Sequence, residues 1–332
     1  MINAAVIGLG WWGLNISNSL SSSDLIRVVI GVDPDEGCRE RAEATGLETT
    51  GDLEVALARP DVDAVIICSP HRFHLEHMVA SAEAGKHIFC EKPFSTNAKD
   101  AEIALAAAEA AGVKVGIGHE RRFEPAIMEL QERCASGDLG TVLTFEGNFS
   151  QDKFLNLAAD NWRLSAAEAP VGPLSATAIH LVDLAISIFG EPVNVLARLS
   201  TLATTFENGD TLSVMLTFAD KRTALITATL TTPFVGRVAV FGSQGWMEIR
   251  DRSHPESSSG WDVTTVHRGQ EPVNRFMPPF PTVRENLERF ADSITGAGIY
   301  PVTPAEIRAN VRTFEAITRS AMSGSVEDVV PV

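Results

Sequence analysis

Gly8, Gly10 and Gly13, in the stretch Gly8-Leu9-Gly10-Trp11-Trp12-Gly13, keep a G-x-G-x-x-G spacing directly after the apolar run Ala4-Ala5-Val6-Ile7. In such an arrangement the first glycine permits a tight turn out of a strand, the second lets a pyrophosphate approach the main chain, and the third lets the next helix pack closely. The N–H groups that open that helix then face the phosphate. Asp33 ends a second apolar run, 27–32, twenty residues beyond Gly13. A carboxylate there accepts hydrogen bonds from both hydroxyls of an adenosine ribose and repels a 2′-phosphate, so NAD is expected rather than NADP. Trp11 and Trp12 fill the variable positions and put two bulky rings at the mouth of the cofactor site.

Two further polar segments close apolar strands. Ser69-Pro70-His71-Arg72-Phe73-His74 follows 64–68 and enters a helix whose face reaches the cofactor. Glu91-Lys92-Pro93 follows 87–90, which sets Lys92 at the crevice where a nicotinamide belongs, with Pro93 fixing the local backbone. His71, His74 and His77 recur every third residue, but no carboxylate or cysteine partner accompanies them and no metal site is expected.

The elements that must hold these residues follow from the hydrophobic pattern. Strands are expected at 3–8, 27–32, 64–68, 87–90 and 114–117, with helical stretches at 34–44, 73–84 and 98–111, several of them closed by Gly46, Gly85 and Gly112. Strands alternating with helices imply a parallel sheet with right-handed crossovers, whose ligands collect at the carboxyl ends of the strands. From about 121 the pattern changes. A helix is expected at 123–134, a strand at 142–151, a poorly periodic segment at 152–170 and a helix at 174–189. Strands at 193–200, 211–219, 223–231, 236–242 and 246–250 come next, then terminal helices at 283–295 and 304–323. Leu212, Val214, Leu216 and Phe218 alternate with polar neighbours, the mark of a half-buried strand. The expected fold is therefore α/β. A doubly wound parallel sheet of Rossmann type occupies residues 1–120, and an α+β domain with a large, mostly antiparallel open sheet occupies 121–332, its terminal helices able to pack back on the first.

Composition narrows the partners. The 332 residues suffice for two domains and a large core, and the net charge of −16, from 43 acidic against 27 basic residues, argues against nucleic acid and anionic membrane surfaces. The four cysteines stand singly, without zinc or disulfide spacing. No long apolar span or cleavage signature is present, and a cytoplasmic location is expected.

Together these residues resemble the Gfo/Idh/MocA family of NAD(P)-dependent oxidoreductases, named for glucose-fructose oxidoreductase and inositol dehydrogenase. The similarity runs over essentially the whole chain and rests on the glycine motif, Asp33, Ser69-Pro70 with His71 and His74, Glu91-Lys92-Pro93, His119-Glu120-Arg121-Arg122-Phe123, Trp162-Arg163, and the helix bearing His180 and Asp183. The resemblance implies that Lys92 hydrogen-bonds the reacting oxygen, that Pro93 follows a cis peptide bond, and that His180 belongs to the catalytic signature Asp-x-x-x-His. Here the aspartate position of that signature is Ala176, with Thr177 and Ser175 the hydroxyls nearby. It further implies that His180 serves as general acid/base, while Lys92 stabilises charge on oxygen. Arg121, Arg122, Trp162, Arg163, Thr177 and Asp183 are then expected near a polyhydroxylated substrate, and Gly8 to Gly13, Asp33, Ser69, Pro70, His71, His74, Glu91 and Lys92 near the cofactor. The activity implied is hydride transfer between NAD and a sugar, cyclitol or related polyol. Two alternatives stay open: a non-catalytic dinucleotide-binding sensor, and a reductase that recycles a tightly bound cofactor. An apolar outer sheet face would make the chain a homodimer or homotetramer.

Overall fold

The computed structural model describes residues 1–330. Its helices run in the order α1 (Trp11–Leu20), α2 (Glu36–Glu43), α3 (Leu53–Leu57), α4 (His74–Glu83), α5 (Ala98–Ala111), α6 (Pro125–Ser136), α7 (Ile179–Phe189), α8 (Thr282–Thr295) and α9 (Pro304–Ser323). The chain divides into two compact units, one built from Met1–Glu120 with Pro281–Arg308, the other from Arg121–Phe280 with the segment that begins at Ala309.

The first unit holds a parallel sheet of β1 (Ile2–Ile7), β2 (Ile26–Val32), β3 (Thr49–Thr50), β4 (Ala64–Ile67), β5 (His87–Cys90) and β6 (Val115–Ile117), in the order β3-β2-β1-β4-β5-β6. Sequence order reverses between β1 and β4, the switch point at which an open α/β sheet leaves a crevice beyond its strand ends. Strands β1, β4 and β5 read as continuous apolar runs because both their faces are covered: Val6, Val65, Ile66, Ile67 and Cys90 are fully buried. The free edge of β6 is closed from far along the chain. Asn286 Nδ2 of α8 donates to the Ile117 carbonyl at 2.9 Å, and the Ile117 N–H donates to Tyr300 Oη at 3.1 Å, so the edge meets side chains rather than another strand.

The second unit carries a sheet of β7 (Val142–Ser150), β8 (Pro192–Ser200), β9 (Thr211–Phe218), β10 (Thr223–Thr229), β11 (Val235–Gly242), β12 (Gly245–Asp251), β13 (Trp261–His267), β14 (Val273–Met277) and β15 (Glu327–Asp328). Their order is β14-β13-β12-β11-β7-β10-β9-β8-β15, antiparallel throughout except where β7 meets β10. The alternation expected along β9 holds: Leu212, Val214, Leu216 and Phe218 are buried with α6, α7 and α9 in one apolar cluster. On the other face Leu143, Met215 and Leu225 stay exposed.

Three features differ from expectation. Strands β13 and β14 lie where the sequence shows no strong apolar alternation; β14 is exposed along most of its length and is held by main-chain pairing to β13. The stretch expected as one helix from 174 opens with a π-helical turn, Leu174–Ala178, before α7 begins. The 152–170 segment is irregular but contains 3-10 turns at Lys153–Asn156 and Trp162–Leu164. Among the described residues no helix is long and apolar enough to cross a membrane.

Candidate active site

In the first unit the glycine motif is the turn from β1 into α1, and its three glycines do different work. Gly8 has φ +93°, and a Cβ on it would meet Ser69 N at 2.7 Å. A Cβ on Gly13 would strike the Gly8 carbonyl at 1.9 Å. These two are therefore required by the turn itself. Gly10 differs: a Cβ there meets nothing within 4 Å. Gly10 is also the N-cap of α1, and neither a capping side chain nor a first-turn acid occupies that helix start. An open main-chain approach at a helix N-terminus with no competing carboxylate fits a pyrophosphate.

Asp33 closes the same corner. Its Oδ2 accepts the Leu9 N–H at 2.7 Å and its Oδ1 the Asp35 N–H at 2.9 Å, so the carboxylate at the end of β2 is aimed by the backbone of the glycine turn. Arg39 Nη1 donates to the carbonyls of Asp33 and Pro34 and fixes the turn from outside. Trp11 is exposed and sits 5.3 Å from the half-buried Trp12, ring to ring.

The turns after β4 and β5 adjoin this corner. The Lys92–Pro93 peptide is cis, as the resemblance implies. Glu91 is buried, its Oε2 accepting the Lys92 N–H at 3.2 Å and its carboxyl lying against Gly118, where a Cβ would come within 2.4 Å. Burial pushes the Glu91 carboxyl above the usual range, against the pull of the Trp12 indole and Lys92. Lys92 is half-buried. His74, expected to face the cofactor, is instead closed on the protein: it is 1% exposed, with Nδ1 2.9 Å from the Pro93 carbonyl and Nε2 2.9 Å from the Ser69 carbonyl. Burial drives its pKa down to about 4, although both carbonyls favour the charged ring. His77 Nδ1 lies 3.0 Å from Ser69 Oγ, while His71 stands edge-on to His74, so the three histidines serve different partners.

In the second unit His180 lies in the first turn of α7, buried, with its ring 6.0 Å from that of Phe149. Several residues expected to face substrate are committed elsewhere. Arg122 holds Asp183 in a two-pronged pair, Nε to Oδ2 at 2.6 Å and Nη2 to Oδ1 at 2.7 Å, both side chains buried. Arg121 is 1% exposed and bound to Glu124 and Asp251. Thr177 Oγ1 donates to the Phe149 carbonyl at 2.8 Å and Ser175 Oγ to the Pro170 carbonyl at 2.7 Å, so both hydroxyls beside Ala176 serve the main chain. The physical reason is common to all four: a buried polar group must be satisfied, and the nearest partners here are structural.

Arg163 is the exception among these arginines. Its guanidinium stacks 4.3 Å over the Trp162 ring, no carboxylate lies within ion-pair distance of it among the described residues, and burial pulls its pKa down. Asp251, Glu124 and the aromatic group of Phe149, Phe234 and His254 were not expected at all. Only a three-dimensional contact reveals Asp251, which stands 130 residues from Arg121.

Residues 2–119 match the domain described as "Oxidoreductase family, NAD-binding Rossmann fold", and residues 127–248 match the "GFO/IDH/MocA C-terminal domain". The chain belongs to the Gfo/Idh/MocA oxidoreductase family. The uncharacterized oxidoreductase YrbE of Bacillus subtilis is 33% identical over 253 residues, 74% of this chain and 72% of that protein. Levoglucosan dehydrogenase of Pseudarthrobacter phenanthrenivorans is 29% identical over 211 residues, 60% of this chain but only 54% of that protein, so the match spans about half the relative's length. The crystal structure of aldose-aldose oxidoreductase from Caulobacter crescentus, complexed with glycerol, superposes with a TM-score of 0.87 at 26% identity, covering 98% of this chain and 99% of that one. Residues 2–119 thus form the NAD-binding Rossmann domain of an oxidoreductase family.

Proposed function

We propose that this family member is an NAD-dependent dehydrogenase acting on a sugar, cyclitol or related polyol. One observation carries the reading: in the first unit the open glycine turn, the backbone-aimed Asp33 and the Glu91-Lys92-Pro93 turn all stand at the carboxyl ends of β1, β2 and β5. Gly8, Gly10, Gly13 and Asp33 would hold the dinucleotide, with Trp11, Trp12, Ser69, Pro70, His71 and Glu91 around it. A bound nicotinamide supplies the acceptor or donor of two electrons. The Asp33 and Asp35 carboxylates together disfavour a 2′-phosphate, which supports NAD over NADP.

Lys92 is assigned to hydrogen-bond the reacting oxygen and stabilise the charge that develops on it, and His180 to take up the hydroxyl proton during oxidation and return it during reduction. Arg163 with Trp162 is assigned to the substrate, because a half-buried guanidinium stacked on an aromatic ring and lacking a carboxylate partner retains donors for an oxygen-rich ligand. The names of levoglucosan dehydrogenase and aldose-aldose oxidoreductase support the substrate class. Arg121, Arg122, Asp183 and Thr177 are assigned to the frame of the site.

Ala176 favours a second reading, a dinucleotide-binding sensor, since the two neighbouring hydroxyls are engaged by main-chain carbonyls. A panel of aldoses, inositols and sugar acids, assayed for nicotinamide reduction with NAD and with NADP, separates the two. Turnover on at least one polyol with NAD preferred is the expected result. Tight NADH binding without turnover on any of them would establish the sensor.

A further inference from the structure

His74 is left without a role by the reading above, yet it is one of the most enclosed polar side chains of the first unit. It opens α4, and its ring lies between two turns that follow adjacent parallel strands. Nε2 meets the carbonyl of Ser69, after β4, and Nδ1 meets the carbonyl of Pro93, after β5, each at 2.9 Å. Each turn carries one half of the chemistry. The Ser69 main chain is the surface on which the glycine turn rests, because a Cβ on Gly8 would come within 2.7 Å of Ser69 N. Pro93 is bonded directly to Lys92.

We propose that His74 is a positioning residue that sets the spacing between the cofactor turn and Lys92, its imidazole acting as a rigid strut wedged between the Ser69 and Pro93 carbonyls, with its single N–H bonded to one and the other ring edge packed against the second. The groups packed around it suit that role. The Cys90 thiol lies 3.4 Å from Nδ1, the His71 ring stands edge-on at 5.7 Å, and His77 is held off by Ser69 Oγ at 3.0 Å. Among the described residues no carboxylate contacts the ring, so none of them draws it into ion pairing. A planar ring with no torsion beyond χ2 transmits position better than a flexible donor. Loss of the buried contact at one end of the ring, of the order of one hydrogen bond, corresponds to about tenfold in an equilibrium that depends on it.

The inference rests on the dehydrogenase reading only for the purpose of the spacing, and its test needs no turnover. The amide nitrogen of Asn reaches the place of Nδ1 and that of Gln the place of Nε2, so His74→Asn keeps the Pro93 contact and His74→Gln the Ser69 contact. Two readouts are taken on the full chain: NADH affinity, from tryptophan-to-NADH energy transfer, and the rate at which an amine-reactive reagent labels Lys92, from mass spectrometry of its peptide. His74→Asn is expected to weaken NADH binding about tenfold while Lys92 labelling stays within about twofold of wild type. His74→Gln is expected to do the reverse. Met78→Ala, a buried truncation on the same helix, controls for loss of stability alone. If both variants move both readouts equally, or no further than Met78→Ala at a matched melting temperature, the strut is refuted. A wild-type protein that binds NADH and divides the variants as stated, yet oxidises no polyol, would overturn the function and leave the strut standing.

Discussion

The two units hold their candidate residues by different means. In the first unit the working surface is main chain: a glycine turn, a carboxylate aimed by two backbone N–H groups, and two turns joined through one neutral histidine. In the second unit it is framed by buried charge, with Arg122 on Asp183 and Arg121 on Glu124 and Asp251. Backbone geometry is specified over a few residues, whereas an ion pair buried this deeply depends on partners brought together by the whole fold. The first kind of site tolerates change wherever the turn is kept. The second fails once either partner is removed, because a buried charge is left uncompensated.

That contrast is sharpest at Arg122. Arg122→Ala should destabilise the second unit by about 3–5 kcal/mol through the exposed need of Asp183, while NADH binding in the first unit changes little. Hydrogen exchange followed separately in the two units reads this directly, as slower-protected amides in α7 lose protection and those of β1 and β4 keep it. The paired change Arg122→Met with Asp183→Leu should recover much of the loss, since matched apolar groups need no charge compensation.

A smaller effect marks the first unit. The pKa of His74 in the folded chain, about 4, lies below its unfolded value near 6.5, so the folded state binds fewer protons in between. Stability from this residue is complete above pH 6.5 and falls as pH drops toward 4, by about 3 kcal/mol in all, and changes no further below that. Denaturation of wild type and His74→Gln across this range checks the sign. The wild type should weaken on acidification, and the variant should lack this part of the slope.

How much of this is legible in the sequence divides along the same line. The parallel strands, the glycine turn, Asp33 and Lys92 are written locally, as apolar runs ended by residues with special backbone or charge. The alternation of β9 is equally local. Strands β13 and β14 are not, since Val273–Met277 is mostly exposed and owes its conformation to pairing with Trp261–His267. The π-helical turn before His180 escapes a pattern read at 3.6 residues per turn. Arg121, Arg122, Thr177 and Asp183 have the residue types of a substrate site. What assigns them to the frame is a set of partners distant in sequence, Asp251 and the Phe149 carbonyl among them. His74 has the type of a cofactor contact, and only the two carbonyls on either side of its ring show it to be a brace.

The central claim is that Lys92 acts on the reacting oxygen within a cofactor site that forms without it. Single-turnover reduction measured by stopped flow, on Lys92→Ala loaded with NADH and an oxidised polyol identified from the panel, tests this most directly. The account predicts NADH affinity within about threefold of wild type and a hydride-transfer rate lower by about 10²-fold or more. A rate close to that of the wild type, at unchanged NADH affinity, would contradict it.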